Sequence, residues 1–214
     1  MKPLADCKLY TFVDTAYLNG RPPELVAQQL CDGGSDLIQL RAKKSSPGEI
    51  RAMAQKILPI TKRANVGLVI NDYLEIARDL GAEFCHLGQE DFFNAGFTHV
   101  FQLSTLNSQL KTGLSTHSPE QAKRALAAGP DYIAIGPVFA TGTKPGAKPV
   151  TLDYVRWAAE NVTIPWFAIG GINLENLDDV LAAGAKRVCI VSAILNAPDI
   201  TKACTEFRQR LKRF

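Results

Sequence analysis

One local pattern recurs along this chain and constrains its fold more than any other feature. "AAGPDYIAI" at 127–135 and "AAGAKRVCI" at 182–190 are near-copies of a helix–glycine–strand joint, and "DGGSDLIQL" at 32–40 and "LGAEFCHL" at 80–87 share its design. In each, a helix-patterned segment stops on glycine, which tolerates the left-handed conformation of a helix end. A short, almost continuously apolar run follows. Such runs, apolar on both faces, belong to strands buried on both sides of a parallel sheet. Eight of them are predicted, at 8–13, 36–40, 67–70, 84–87, 113–115, 132–135, 166–169 and 187–191.

Helical segments fill the intervals. The stretch 47–65 opens with Pro47 in the first turn and repeats apolar residues at Ile50, Met53, Ala54 and Ile57. The stretch 118–130 has Ser118 as cap, Pro119 next and Gln121 three residues after the cap. The stretch 173–185 repeats the design with Asn173 as cap and Gly184 as stop, and further helices are expected at 24–34 and 198–211. Eight strand-then-helix units predict an α/β (β/α)8 TIM barrel, one catalytic domain over 1–214. An open doubly wound sheet is the alternative, and the absence of a Gly-x-Gly-x-x-Gly turn speaks against it. The stretch 92–111 mixes aromatic and polar residues without a clear period.

Composition narrows the function classes. With 46% hydrophobic and 21% charged residues the 214-residue chain is ordinary globular material. A net charge of +3 argues against a dedicated nucleic-acid surface. The longest apolar stretch is 164–172, too short for the ~20 residues of a membrane span. Asp6 and Lys8 interrupt the first apolar run, so no targeting signal is expected. Five cysteines without a Cys-x-x-Cys pair read as free thiols in a reducing compartment. These features predict a soluble, cytoplasmic protein with no nucleic-acid or membrane partner; they leave an oligomer open.

Chemistry in such barrels sits at the C-terminal ends of the strands. The second predicted strand ends in Gln39, Arg41 and Lys43, the third in Asn71 and Asp72, the fourth in His86 through Asp91. The fifth ends in Ser115-Thr116-His117, the sixth runs into Thr141-Gly142-Thr143-Lys144, the seventh ends in Gly170-Gly171 and the eighth in Val191-Ser192. Arg41, Lys43 and Lys144 bring three cations to one mouth, and Asp72 and Asp91 bring two carboxylates. That mixture suits Mg²⁺ with a polyphosphate, because magnesium takes few carboxylates and prefers phosphate oxygens and water. The Thr-Gly-Thr-Lys loop has hydroxyl donors, a flexible backbone and a cation for gripping an anion. Each feature alone is an ordinary turn or a solvated charge; their convergence on one rim makes a site. His86 reads as a packed barrel residue and His117 as a candidate substrate contact. No His-Glu-x-x-His motif or Cys/His cluster suggests zinc. No nucleophile elbow points to a covalent intermediate.

Taken in order, QLRAK (39–43), IND (70–72), HLGQED (86–91), GLSTHS (113–118), GPVFATGTKPGA (136–147), AIGGI (168–172) and VSAI (191–194) resemble the thiamine-phosphate synthase family over nearly the whole chain. The resemblance implies that Gln39, Arg41, Lys43, Asn71, Ser115 and Lys144 hold a pyrimidine diphosphate, with Arg41, Lys43 and Lys144 serving catalysis. It implies that Asp72 and Asp91 carry Mg²⁺. It implies that Thr141, Gly142, Thr143, Gly171, Val191 and Ser192 hold a thiazole phosphate. The chain departs from the family's usual pattern at Gly142, where proline is commoner. A thiazole tautomerase-like isomerase would have no use for the paired aspartates and the Thr-x-Thr-Lys loop, and a non-catalytic phosphate sensor would leave the carboxylates idle.

Overall fold

The computed structural model describes residues 1–103, 110–142, 146, 148–213. Its eight strands are β1 (Leu9–Asp14), β2 (Leu37–Arg41), β3 (Gly67–Asn71), β4 (Phe84–Gly88), β5 (Lys111–Thr116), β6 (Tyr132–Ile135), β7 (Trp166–Ile169) and β8 (Val188–Cys189). They pair in parallel, in chain order, and close into a barrel. The open-sheet alternative is thereby excluded. The near-continuous apolar runs have their expected cause: β1 is buried at every position, and β2 and β3 at all but the last.

The expected helix signals act at most of the joints. Helix α1 (Pro23–Asp32) ends at Gly33. Helix α2 (Pro47–Arg63) carries a full capping box, the Ser46 side chain accepting from Glu49 N and the Glu49 carboxylate from Ser46 N. Helix α3 (Leu74–Leu80) ends on left-handed Gly81, and α4 (Gln89–Asn94) follows β4 directly. Helix α5 (Pro119–Ala127) is capped by Ser118, and α6 (Thr151–Asn161) follows β6. Helix α7 (Leu177–Ala182) begins later than the sequence pattern suggests. Asn173 does cap, but it caps a turn: its Oδ1 accepts from the N–H groups of Glu175 and Asn176. Helices α8 (Ser192–Leu195) and α9 (Ile200–Leu211) complete the chain, the latter capped by Asp199.

The described part of the aperiodic stretch has a packing explanation; 104–109 lie outside the described residues. Phe92 is buried and stacks on Phe97 with ring centroids 5.5 Å apart. Arg124 lies over the ring of Phe93. Aromatic docking of a short helix and a 3₁₀ turn (Val100–Leu103) replaces one long amphipathic face.

The barrel floor is aromatic. Tyr10, Phe84, Tyr132 and Phe167 pack edge to face with centroids 5.3 to 6.1 Å apart. Burying each such ring contributes roughly 2–3 kcal/mol. Gly113 on β5 makes this possible, because a Cβ there would lie 2.1 Å from Tyr132 Cζ. Closure rests on a short seam: β8 contributes two residues, with Leu9↔Val188 and Tyr10↔Cys189 on one side and Ala168↔Val188 and Ile169↔Cys189 on the other. Among the described residues, no helix is long and apolar enough to cross a membrane.

Candidate active site

Alternation along each strand sends every second side chain into the barrel. On β1 these are Tyr10, Phe12 and Asp14; on β2 they are Gln39 and Arg41. Above the aromatic floor they meet the strand-end loops around one cavity of about 450 Å³. Gln39, Arg41, Lys43, Asn71, Asp72, Asp91 and Ser115 line it on one side. Thr141, Gly171, Val191 and Ser192 line it on the other strands' side. The strand-end rule thus brings together nearly every described candidate. Gly142 is exposed and lies outside the cavity lining. Thr143 and Lys144 lie outside the described residues.

Local geometry holds the charges in place. Asp14 and Arg41 are register partners in the β1–β2 ladder. Arg41 Nη1 donates to Asp14 Oδ2 at 2.7 Å, and Asp14 is only 1% exposed. Asp72 adopts a left-handed backbone (φ 65°), unusual for a residue with a side chain. Its N–H is anchored by His86 O at 2.9 Å. Its Oδ2 accepts from Lys43 Nζ at 2.5 Å and from Asn71 Nδ2 at 2.7 Å. The pair Gly170-Gly171 also turns in the left-handed region, and a Cβ at Gly171 would come within 2.6 Å of Ala140 O. The backbone itself therefore forms that wall of the cavity.

His86 is buried as expected, yet it also borders the cavity. Burial pushes its imidazole pKa down to about 4, opposed by Asp72 and assisted by Lys43, so the ring is neutral at physiological pH. Its Nδ1 lies 3.1 Å from Tyr132 Oη, which lies 3.1 Å from Tyr10 Oη. Gln39 Nε2 donates to Tyr10 Oη at 2.6 Å. Burial holds both phenol groups well above their ordinary range, so both remain protonated. His117 also borders the cavity, its Nδ1 against the carbonyl of Gly136.

Asp14, which does not line the cavity but holds Arg41, which does, is a residue that the sequence reading misses. The signal is present: it ends the first strand, as the other candidates end theirs. Glu90, in the first turn of α4, lines the cavity itself.

A closed parallel barrel with cations, carboxylates and a glycine turn gathered at its C-terminal mouth defines a (β/α)8-barrel enzyme built to hold anionic small molecules. Residues 9–194 match the family model described as thiamine monophosphate synthase. Among curated proteins, a thiamine-phosphate synthase of Thermus thermophilus is 46% identical over 180 residues, covering 84% of each chain. That of Halalkalibacterium halodurans is 35% identical over 211 residues, covering 98% of each. Among solved structures, a thiamine phosphate pyrophosphorylase from Pyrococcus furiosus superposes with a TM-score of 0.86 at 28% identity over 98% of both chains. The chain belongs to the thiamine monophosphate synthase family, and it is a transferase of thiamine biosynthesis.

Proposed function

We propose that this chain joins 4-amino-5-hydroxymethyl-2-methylpyrimidine diphosphate to thiazole phosphate, or its carboxylated form, giving thiamine phosphate and pyrophosphate. The observation that carries this reading is the convergence of Arg41, Lys43, Asn71, Asp72 and Asp91 on one cavity, with the Gly171 turn, Val191 and Ser192 also on its wall. The first set suits a diphosphate and the second a monophosphate gripped by backbone N–H groups.

The donor set fits magnesium. Asp72 Oδ1 and the Asp91 carboxylate have no hydrogen-bonding partner among the described residues, and both residues border the cavity. Two hard oxygen donors beside a diphosphate site match how magnesium binds, with phosphate and water completing its shell. Asp72 and Asp91 would hold it, and when bound it would neutralise charge on the diphosphate and ease its departure.

The chain's own residues do the rest. The C–O bond between the pyrimidine methylene and the diphosphate breaks, and its electron pair leaves with pyrophosphate. The aminopyrimidine ring delocalises the positive charge left behind. Arg41 and Lys43 stabilise the charge growing on the leaving group. Asp14 fixes the Arg41 guanidinium so that little reorganisation is needed. The thiazole nitrogen, held close behind the methylene, donates its lone pair to form the C–N bond. No protein nucleophile is required. The family resemblance adds Lys144 to the cations, Ser115 to the diphosphate contacts, and Thr141, Gly142 and Thr143 to the thiazole phosphate contacts.

The test is an assay of purified protein with both substrates and Mg²⁺, following pyrophosphate and thiamine phosphate together, with an EDTA control. Stoichiometric formation of both, abolished by EDTA, is the expected result. Binding of thiazole phosphate without product would overturn the reading.

A further inference from the structure

The floor of the cavity contains a buried polar chain whose two tyrosines the proposed reaction does not use. Gln39 Nε2, Tyr10 Oη, Tyr132 Oη and His86 Nδ1 follow one another at 2.6, 3.1 and 3.1 Å, spanning strands β2, β1, β6 and β4. Both tyrosines are at most 1% exposed, and each hydroxyl sits between two partners of the chain. Each phenol has one hydrogen to give, which makes the direction of the chain a matter of counting.

An amide nitrogen only donates, so Tyr10 accepts from Gln39. Tyr10 must then give its hydrogen to Tyr132. Tyr132, having accepted, gives its own to His86 Nδ1. If Tyr132 donated to Tyr10 instead, the Tyr10 hydrogen would have no acceptor, at the cost of an unsatisfied buried hydroxyl. With Nδ1 accepting, the neutral imidazole carries its hydrogen on Nε2. Neither His86 Nε2 nor Gln39 Oε1 has a partner among the described residues, and both residues border the cavity. Turning the Gln39 amide over would reverse every bond and move the imidazole hydrogen to Nδ1. Arg41 and Lys43 line the same cavity and favour this sense, in which the amide oxygen is left free for the cavity.

We propose that Tyr10 and Tyr132 are positioning residues that lock Gln39 and His86 into one joint polarity, offering the cavity an acceptor at Gln39 Oε1 and a donor at His86 Nε2. The two ends are read together. A ligand that donates to Gln39 holds the chain in this sense, and one that needs a donor there must reverse the chain and the imidazole tautomer with it. The structure thus assigns the selection of the pyrimidine half partly to two tyrosines behind the residues that would touch it. This last step rests on the function proposed above; the tautomer itself does not.

The tautomer is read by long-range ¹H–¹⁵N correlation spectra of the ¹⁵N-histidine-labelled full chain, with the His86 signals assigned by a His86→Gln variant. The wild-type spectrum is expected to show His86 with Nδ1 unprotonated and Nε2 protonated. A ring protonated on Nδ1, or one averaging between tautomers, overturns the proposal without any variant. Tyr132→Phe keeps the ring and removes the hydroxyl. It is expected to leave His86 averaging between tautomers and to raise KM for the pyrimidine diphosphate about tenfold, the size of one hydrogen bond. KM for thiazole phosphate should not move, whereas a general packing defect would shift both. An unchanged His86 spectrum and unchanged KM in Tyr132→Phe overturn the proposal. If that variant does not fold, Tyr10→Phe is used, expected to shift the Gln39 side-chain amide resonances and the same KM; no change in either is the contrary result. A protein that makes no thiamine phosphate defeats the functional reading, while the spectrum still decides the tautomer.

Discussion

Asp14 and Arg41 stand opposite each other in the β1–β2 register, and the carboxylate accepts from the guanidinium at 2.7 Å. The same Asp14 also accepts from Ala16 N through Oδ1 at 3.0 Å, closing the turn that follows β1. One buried acid therefore aims a cation and shapes the loop beside it. Asp14→Asn retains the turn contact but removes the carboxylate charge that faces the guanidinium. The variant is expected to fold with stability lowered by about 2 kcal/mol. Its turnover should fall about tenfold or more, through misdirected Arg41. Urea unfolding and steady-state kinetics on one preparation check both.

Lys43 and Asp72 form a pair that is half-exposed on the lysine side. Such pairs contribute about 1 kcal/mol or less to stability. Lys43→Ala and Asp72→Ala, made separately, should melt close to the parent and still lose at least about tenfold in turnover, since a preorganised charge at a leaving group can be worth about 3–4 kcal/mol. Near-normal turnover in both variants would remove these residues from the proposed roles.

Two glycine-to-alanine changes should have opposite signs. At Gly113 the new methyl would collide with the Tyr132 ring, 2.1 Å away. A loss of about 1–3 kcal/mol is expected from the overpacked floor. At Gly48, in the first turn of α2, nothing lies within 4 Å of a new Cβ. Gly48→Ala should stabilise by about 0.5–1 kcal/mol, by restricting the unfolded chain and favouring the helix. Thermal melts of the two variants test the pair.

The thiols give a pH dependence of defined sign. Burial is the largest cause in each case: it pushes Cys7 up from 9.0 to about 11, and Cys31, Cys85 and Cys204 to about 12. The unfolded chain loses these protons near pH 9 while the folded chain keeps them. The folded state then binds more protons, so stability falls as pH rises from about 9 toward 12 and is fully present below that window. Urea midpoints measured from pH 7.5 to 10.5 should decline progressively above pH 9. Iodoacetamide at pH 8 should label the native chain far more slowly than the urea-unfolded one.

The barrel is legible in the sequence because its strands differ in kind from its helices. Runs such as 132–135 are apolar on both faces, and joints such as that at Gly184 repeat. Cavity-lining positions are legible for the same reason: polar residues at the ends of apolar strands are conspicuous, as at Arg41, Asn71 and Ser115. Asp14 escapes because "LYTFVD" reads as one strand whose last residue looks like a surface boundary. The tyrosine relay escapes for a deeper reason. Tyr10 and Tyr132 are 122 residues apart and look like ordinary core aromatics; only closure of the sheet places their hydroxyls together. The start of α7 is misplaced because Asn173 caps a turn with the same side-chain contacts that cap a helix.

The two-residue β8 ties the first strand to the seventh, and Val191 and Ser192 hang directly from it. A ligand held by these residues would be attached to the narrowest stitch in the sheet. A phosphate held there would therefore fasten the two ends of the barrel wall to each other, and its affinity would include the work of keeping that wall shut. The loop's second duty is then as a clasp, and its grip should be felt first by the backbone amides of β8.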